Sequence, residues 1–312
     1  MLRIQDAILY GSKGGSSPSG SIEITENGTY DVTEKAEAVV NVPQPSGKIT
    51  ISQNGTDIDV SGYALADVNV PSNEDAIIER TISGAYTNNN VTKIGNYAFY
   101  YCGSLTKADF PNATSIGSAA FNNCNNLSEA DFPNATSIES SAFNYCSKLS
   151  EADFPNVTSI GNYAFKNCSS LTKADFPNLT SIRESAFDSC SKLSEVDFQN
   201  VSSIGNYAFY YCRSLTEADF PNLTSIGSNA FSGCTKLASL ILRGSTIICT
   251  LQSYAFTSTP ISSGTGYIYV PAALIDSYKA ATNWNTYAAQ FRALEDYTVD
   301  GTTTGDLDPT KI

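Results

Sequence analysis

Seven cysteines stand 22 residues apart, at Cys102, Cys124, Cys146, Cys168, Cys190, Cys212 and Cys234, and the apolar positions around them keep the same period. A strict period of this length means one short unit repeated and stacked, because a single unit cannot bury its own apolar face. The spacing therefore predicts a solenoid, a build that presents long repetitive surfaces suited to binding.

The unit is clearest as IGNYAFYYCGSLTKADFPNATS from Ile94, with new copies at Ile116, Ile138, Ile160, Ile182, Ile204 and Ile226. Alignment gives inward columns headed by Ile94, the Ala98-Phe99 pair, Cys102, Leu105, Ala108, Phe110 and Ala113. Between Leu105 and Phe110 apolar and polar residues alternate, the period of a half-buried strand, so one strand per turn should build a parallel sheet. The A-F-x-x-C segment has apolar residues three and four apart, which predicts a short helical or 3₁₀ turn on the opposite wall. Pro111, Pro133, Pro155, Pro177 and Pro221 should end the strands, since proline cannot donate to the ladder. Gln199 takes the proline's place once.

The run I-G-x-x-A-F-x-x-C-x-x-L-x-x-h-x-h-P resembles the leucine-rich repeat of the BspA-like, or treponemal, class, over residues 77 to 256. The resemblance implies a leucine-rich-repeat solenoid: an arc with a parallel β-sheet on its concave face and short helical or 3₁₀ turns opposite. It also implies binding and adhesion rather than catalysis.

With its caps the array is expected to occupy residues 73–296, with core repeats at 94–247. Residues 77 to 93 read as an N-terminal capping turn. Beyond Phe231 the period stretches to 25 residues, Cys249 falls out of phase, and GYIYVPAALIDSYKAATNWNTYAAQFRAL predicts a strand ending at Pro271 and a helical cap containing Trp284. An open solenoid end exposes core, so a cap is physically required. Residues 297–312 read as a polar tail.

The first 72 residues are different material. Residues 1–20 form an N-terminal segment with a Gly/Ser linker, and residues 21–72 two small β modules, each with an Asn-Gly hairpin signal, at Asn27-Gly28 and Asn54-Gly55. Each resembles the ITxNGTYDVxxYxxVxVNVP modules of tail and other structural proteins of bacteriophages that infect Gram-positive bacteria.

Net charge is −13, which argues against nucleic acid and anionic membrane as partners. No stretch approaches the ~20 apolar residues of a membrane helix. If Met1 is the native start, ordinary secretory export is not expected. The eight cysteines should be buried free thiols, because stacked columns point in parallel and inward; a hydroxyl in their place should lack a partner. There is no C-x-x-C spacing and no histidine, so no metal site or cofactor is expected. Without histidine the Ser-His-Asp and Cys-His arrangements are excluded, and the carboxylates recur with the repeat rather than forming one unique pair. A non-enzymatic protein follows.

One set of side chains repeats outward. Asp109, Asp131, Asp153, Asp175, Asp197 and Asp219 alternate with Lys107, Glu129, Glu151, Lys173, Glu195 and Glu217 along the strands. Ten acids against two lysines give this strip −8, the larger part of the net charge. Neighbouring aspartates about 4.8 Å apart repel by roughly 1 kcal/mol even in water, which a basic or hydrogen-bonding ligand would relieve. A second candidate set is the tyrosine column Tyr97, Tyr163 and Tyr207. The Asn column from Asn112 to Asn222 should bond the backbone of the next turn rather than carry glycans.

Two functions fit these readings. The main one is a structural or host-recognition component of a phage or prophage particle, found in the virion or released by host lysis. The alternative is a BspA-type adhesin on a bacterial surface. Expected partners are a protein or glycan on a cell surface, or other particle proteins.

Overall fold

The computed structural model describes residues 83–89, 91–244 and 248–296 in full, and elsewhere only the backbone of short strands. The Gly/Ser linker, most of the two N-terminal modules and the tail thus lie outside the fully described residues. Within the modules, Ile49–Gln53 and Thr56–Asp59 pair antiparallel across Asn54-Gly55. Ser21–Ile24 pairs in parallel with Glu37–Val40, and Gly28–Asp31 in parallel with Ile49–Gln53; the turn expected at Asn27-Gly28 lies outside the described residues.

The repeats form a parallel β-solenoid. Its main wall runs through Gly84–Thr87, Leu105–Asp109, Glu129–Asp131, Glu151–Asp153, Lys173–Asp175, Glu195–Asp197, Glu217–Phe220, Ser239–Leu242, Tyr267–Val270 and Phe291–Ala293. Partners are one repeat apart, so Asp153 faces Asp175 and Asp175 faces Asp197. Each strand stops at or just after the Asp column, ahead of the proline, and Asp197 still ends its strand where Gln199 stands. Gln199 donates through Nε2 to Asp197 Oδ1 at 2.8 Å.

The wall opposite is not helical. In the A-F-x-x-C segment, alternate amides donate to the next turn instead of along the chain: Tyr97 N to Ser118 O, Phe99 N to Ala120 O and Tyr101 N to Asn122 O. The amides between them close four-residue turns of 3₁₀ type, such as Tyr100 N to Tyr97 O at 3.1 Å. To do this Tyr97 and Tyr101 take left-handed backbone, both at φ 58°, and their columns repeat it down the stack. Left-handed residues four apart limit each right-handed stretch to a single i to i+3 bond, so of the two forms expected here the wall takes single 3₁₀-type turns and not a helix. A further ladder, unforeseen in the sequence, joins two-residue strands from Ser115–Ile116 to Thr250–Leu251.

The predicted inward columns are buried throughout the repeats, except for Ala130 and Val196, which are half-buried. Phenylalanines of the Phe99 column stack face to face from turn to turn, with centroids 4.9 Å apart at Phe99–Phe121 and 5.2 Å at Phe143–Phe165. Phe99 also meets Phe110 across the core at 5.6 Å, which places the two walls back to back. Full burial of each such ring contributes roughly 1.5–3 kcal/mol.

The cysteine column does more than fill space. Each thiol from Cys124 to Cys234 donates to the carbonyl of the phenylalanine 25 residues earlier, in the preceding turn, as in Cys146 Sγ to Phe121 O at 3.1 Å and Cys168 Sγ to Phe143 O at 3.2 Å. A serine hydroxyl would therefore meet an acceptor, contrary to the sequence expectation. In the stretched last repeat, aligned on Phe231 and Phe256, Thr259 occupies the cysteine position, but its buried hydroxyl donates within its own turn, to Phe256 O at 2.6 Å.

Outer polar columns tie turns together. Asn134 Nδ2 donates to Pro111 O at 2.7 Å and Asn156 Nδ2 to Pro133 O at 2.8 Å, a structural column as expected, though it reaches to the preceding turn. Threonines add a parallel ladder, with Thr136 Oγ1 to Thr114 O at 3.0 Å.

Both ends are covered. Tyr86 stacks over Phe99 and Phe110 at 5.8 and 5.7 Å. At the other end the expected single helical segment is broken into a helix at Ile275–Ala280 and a 3₁₀ stretch at Trp284–Gln290, because Asn283 turns left-handed at φ 64°. Trp284 covers Phe256 at 6.1 Å and donates to Cys249 O at 2.6 Å, while Cys249 N donates to the Tyr278 hydroxyl at 3.0 Å. The out-of-phase Cys249 is thus the contact between cap and stack.

Candidate functional site

The sheet wall has two faces, and its period of two decides which residues look outward. Ala108, Ala152, Ala174 and Ala218 go to the core, so their neighbours go to solvent. Glu129, Asp131, Glu151, Asp153, Glu195 and Glu217 are exposed, and Asp109, Asp175, Asp197 and Asp219 are half-exposed. The predicted strip is one surface with its aspartates in register.

Its charges are answered unevenly. Lys107 Nζ lies 3.3 Å from Glu129, and Lys173 Nζ 3.3 Å from Asp175. Hydrogen bonding and charge from Asp175 raise the pKa of Lys173 above the ordinary lysine value. Thr87 donates to Asp109 Oδ2 at 3.3 Å. The strongest answer was not foreseen: Arg243, one stretched repeat beyond Asp219, grips that carboxylate with Nε at 2.9 Å from Oδ1 and a terminal nitrogen at 2.5 Å from Oδ2. Nothing in the repeat marks this arginine, because it lies where the period is lost. Among the described residues no hydrogen bond or ion pair reaches the carboxylates of Asp131 and Asp153, although the charge of Asp153 is felt by Lys173.

The Asp column ends in a different surface. Register places Ile241 opposite Asp219, then Tyr269 opposite Ile241 and Arg292 opposite Tyr269. Arg292 also lies over the Tyr267 ring at 4.2 Å. The acidic strip therefore spans the regular repeats and gives way to aromatic and basic groups at the C-terminal end.

Tyr97, Tyr163 and Tyr207 occupy the other wall and are not brought together with the acids. They share a left-handed position in turns rather than the face of a helix. The Tyr163 hydroxyl donates to Glu184 Oε1 at 3.0 Å, an arrangement that raises its pKa. Among the described residues no group of three or more His, Cys, Asp or Glu is placed to hold a metal ion, and no helix is long and apolar enough to cross a membrane.

A family profile, the BspA type leucine-rich repeat region, matches residues 73–194 and 158–270. Among solved structures, the chain is similar to the T. pallidum leucine-rich repeat protein TpLRR, at 24% identity over 47% of this chain and 76% of that one, with a TM-score of 0.33. It is similar to a leucine-rich cell surface protein from Faecalibacterium prausnitzii at 18% identity, covering 88% of both chains, TM-score 0.40. A leucine-rich repeat protein from Eubacterium ventriosum matches at 19% identity over 77% of this chain and 63% of that one, TM-score 0.48. No curated protein matches.

Proposed function

The chain belongs to the BspA-type leucine-rich repeat family, and from that premise we propose that it is a non-enzymatic binding protein of a bacterial surface, taking a basic protein segment along the acidic face of its sheet. The observation that carries this reading is the in-register aspartate column, in which the carboxylates of Asp131 and Asp153 have neither a hydrogen bond nor an ion pair among the described residues. The fold does not require these acids. Their alternate neighbours make the core, while the carboxylates repel one another in the free protein. A lysine- or arginine-rich segment lying across the strands would remove that repulsion and gain ion pairs.

A role in a phage particle rests on residues 22–71, outside the fully described residues, and nothing in the repeat array favours it. The surface reading uses the part of the chain that the family covers.

Titration calorimetry with a heptalysine peptide tests the proposal. The peptide should bind at about 0.01 M ionic strength, where the Debye length is about 30 Å, and weaken severalfold at about 0.15 M, where it is about 8 Å. Absence of binding at the lower salt, or binding indifferent to salt, would overturn it.

A further inference from the structure

The other wall carries a feature that neither packing nor backbone preference explains. Of the seven exposed large apolar side chains among the described residues, all are tyrosines, and all but Tyr267 sit at the two left-handed columns. Tyr101 is 58% exposed and Tyr254 70%. Left-handed backbone favours glycine and asparagine over bulky residues, and the same columns use Asn123, Asn167, Asn229 and Gly233 without loss of the fold. Tyrosine is thus placed against both its burial preference and its backbone preference.

The placement is also repeated. The segment IGNYAFYYC occurs identically at residues 94–102 and 204–212. In the first copy Tyr100 meets Tyr97 at 5.4 Å and Tyr101 at 4.6 Å, both edge to face. In the second, Tyr210 meets Tyr207 at 5.5 Å and Tyr211 at 4.2 Å. The surroundings of the first triad are uncharged amides and hydroxyls: Asn96 accepts from Ser118 N at 2.8 Å, and Asn123 donates to Asn122. Around the second, Asn206 accepts from Ser228 N at 2.8 Å, Arg213 lies over Tyr211 at 5.0 Å, and the nearby Asp188 is paired with Lys166 at 2.8 Å.

We propose that the two tyrosine triads are paired binding sites for a neutral polysaccharide. Aromatic rings offer apolar faces to the C–H faces of sugar rings, while phenol, amide and hydroxyl groups at their rims exchange hydrogen bonds with sugar hydroxyls. The lack of fixed charge at the first triad disfavours a charged polymer. The absence of exposed aliphatic side chains beside the rings disfavours an apolar peptide. Identical sites five repeats apart, roughly 24 Å at about 4.8 Å per turn, suit an extended polymer that engages both and gains by avidity. This inference does not depend on the acidic face.

Affinity electrophoresis in gels containing soluble mixed-linkage glucan, mannan or xylan tests it, with polygalacturonate as a charged comparison. Tyr101→Asn and Tyr211→Asn keep a residue that the left-handed position accepts, so thermal melting should not change. At least one neutral polysaccharide should retard the parent protein. Each single variant should bind roughly tenfold more weakly, since a lost aromatic contact is worth about that factor, and the double variant should migrate freely. Tyr145→Asn, outside the triads, should bind as the parent does. The proposal fails if no neutral polysaccharide retards the protein, if the double variant is retarded normally, or if only polygalacturonate retards it.

Discussion

Raising the pH from 8 to 10.5 should unfold the solenoid cooperatively, with most of the loss above pH 9. Burial raises the thiol pKa of Cys124, Cys146, Cys168, Cys190 and Cys212, and pushes those of Cys234 and Cys249 up to about 12. In the unfolded chain the same thiols titrate near about 8.5. A group whose native pKa is raised stabilises the fold fully below its unfolded pKa, and that contribution is lost as pH climbs towards the native value. Each thiol withdraws stability at about 1.4 kcal/mol per pH unit between its unfolded and its native pKa, and the losses of neighbouring thiols add. Far-ultraviolet circular dichroism against pH checks it, with thiolate absorbance rising in the same step. Cys168→Val, which removes one titrating group, should move the midpoint upward. Thiolate absorbance that rises between pH 8 and 10 while the structure persists would show that the column does not hold its protons.

Phe165→Ala should cost about 3 to 5 kcal/mol, the range for emptying a buried phenylalanine site. Phe165 stacks on Phe143 at 5.2 Å and Phe187 at 5.4 Å, and touches Phe154 and Phe176 at 5.9 and 5.6 Å, so its loss reaches one turn on either side. Because each repeat touches only its neighbours, the damage should stay local. Hydrogen exchange should accelerate over residues 138–198 and remain close to the parent's near Phe99 and Phe256. Even acceleration over the whole array would contradict the nearest-neighbour picture.

The inner half of each repeat was legible because burial is periodic. A column of Cys, Leu or Phe at a fixed interval has one explanation, and the strand at Leu105–Asp109 follows from alternation alone. On the opposite wall the sequence pattern leaves the choice between a helix and a single tight turn open. Apolar residues three and four apart fit a helix, but they fit equally a row of tight turns whose other amides bond across to the next turn, as Phe99 and Tyr101 do. Nothing in a single repeat separates these, since the deciding bonds lie between repeats. The thiol bonds to the phenylalanine carbonyls were hidden likewise: the sequence shows that Cys146 is inside, not that Phe121 O lies beside it. In the candidate site, the aspartate register was readable from the repeat, whereas the Arg243 clamp on Asp219 and the Tyr269–Arg292 end of the strip lie where the period is broken.

On the proposed function, inward columns make the fold and the outward acids bind a basic partner. Reversing Asp153 and Asp175 together to lysine tests that division most directly, with heptalysine binding and thermal melting measured on the same preparation. The two positions face one another in adjacent strands and are open to solvent. Binding should be lost, while the melting temperature should hold or rise slightly, because two members of a repelling row have changed sign. A double variant that still binds the peptide as the parent does, or one whose melting temperature falls by many degrees, would contradict it.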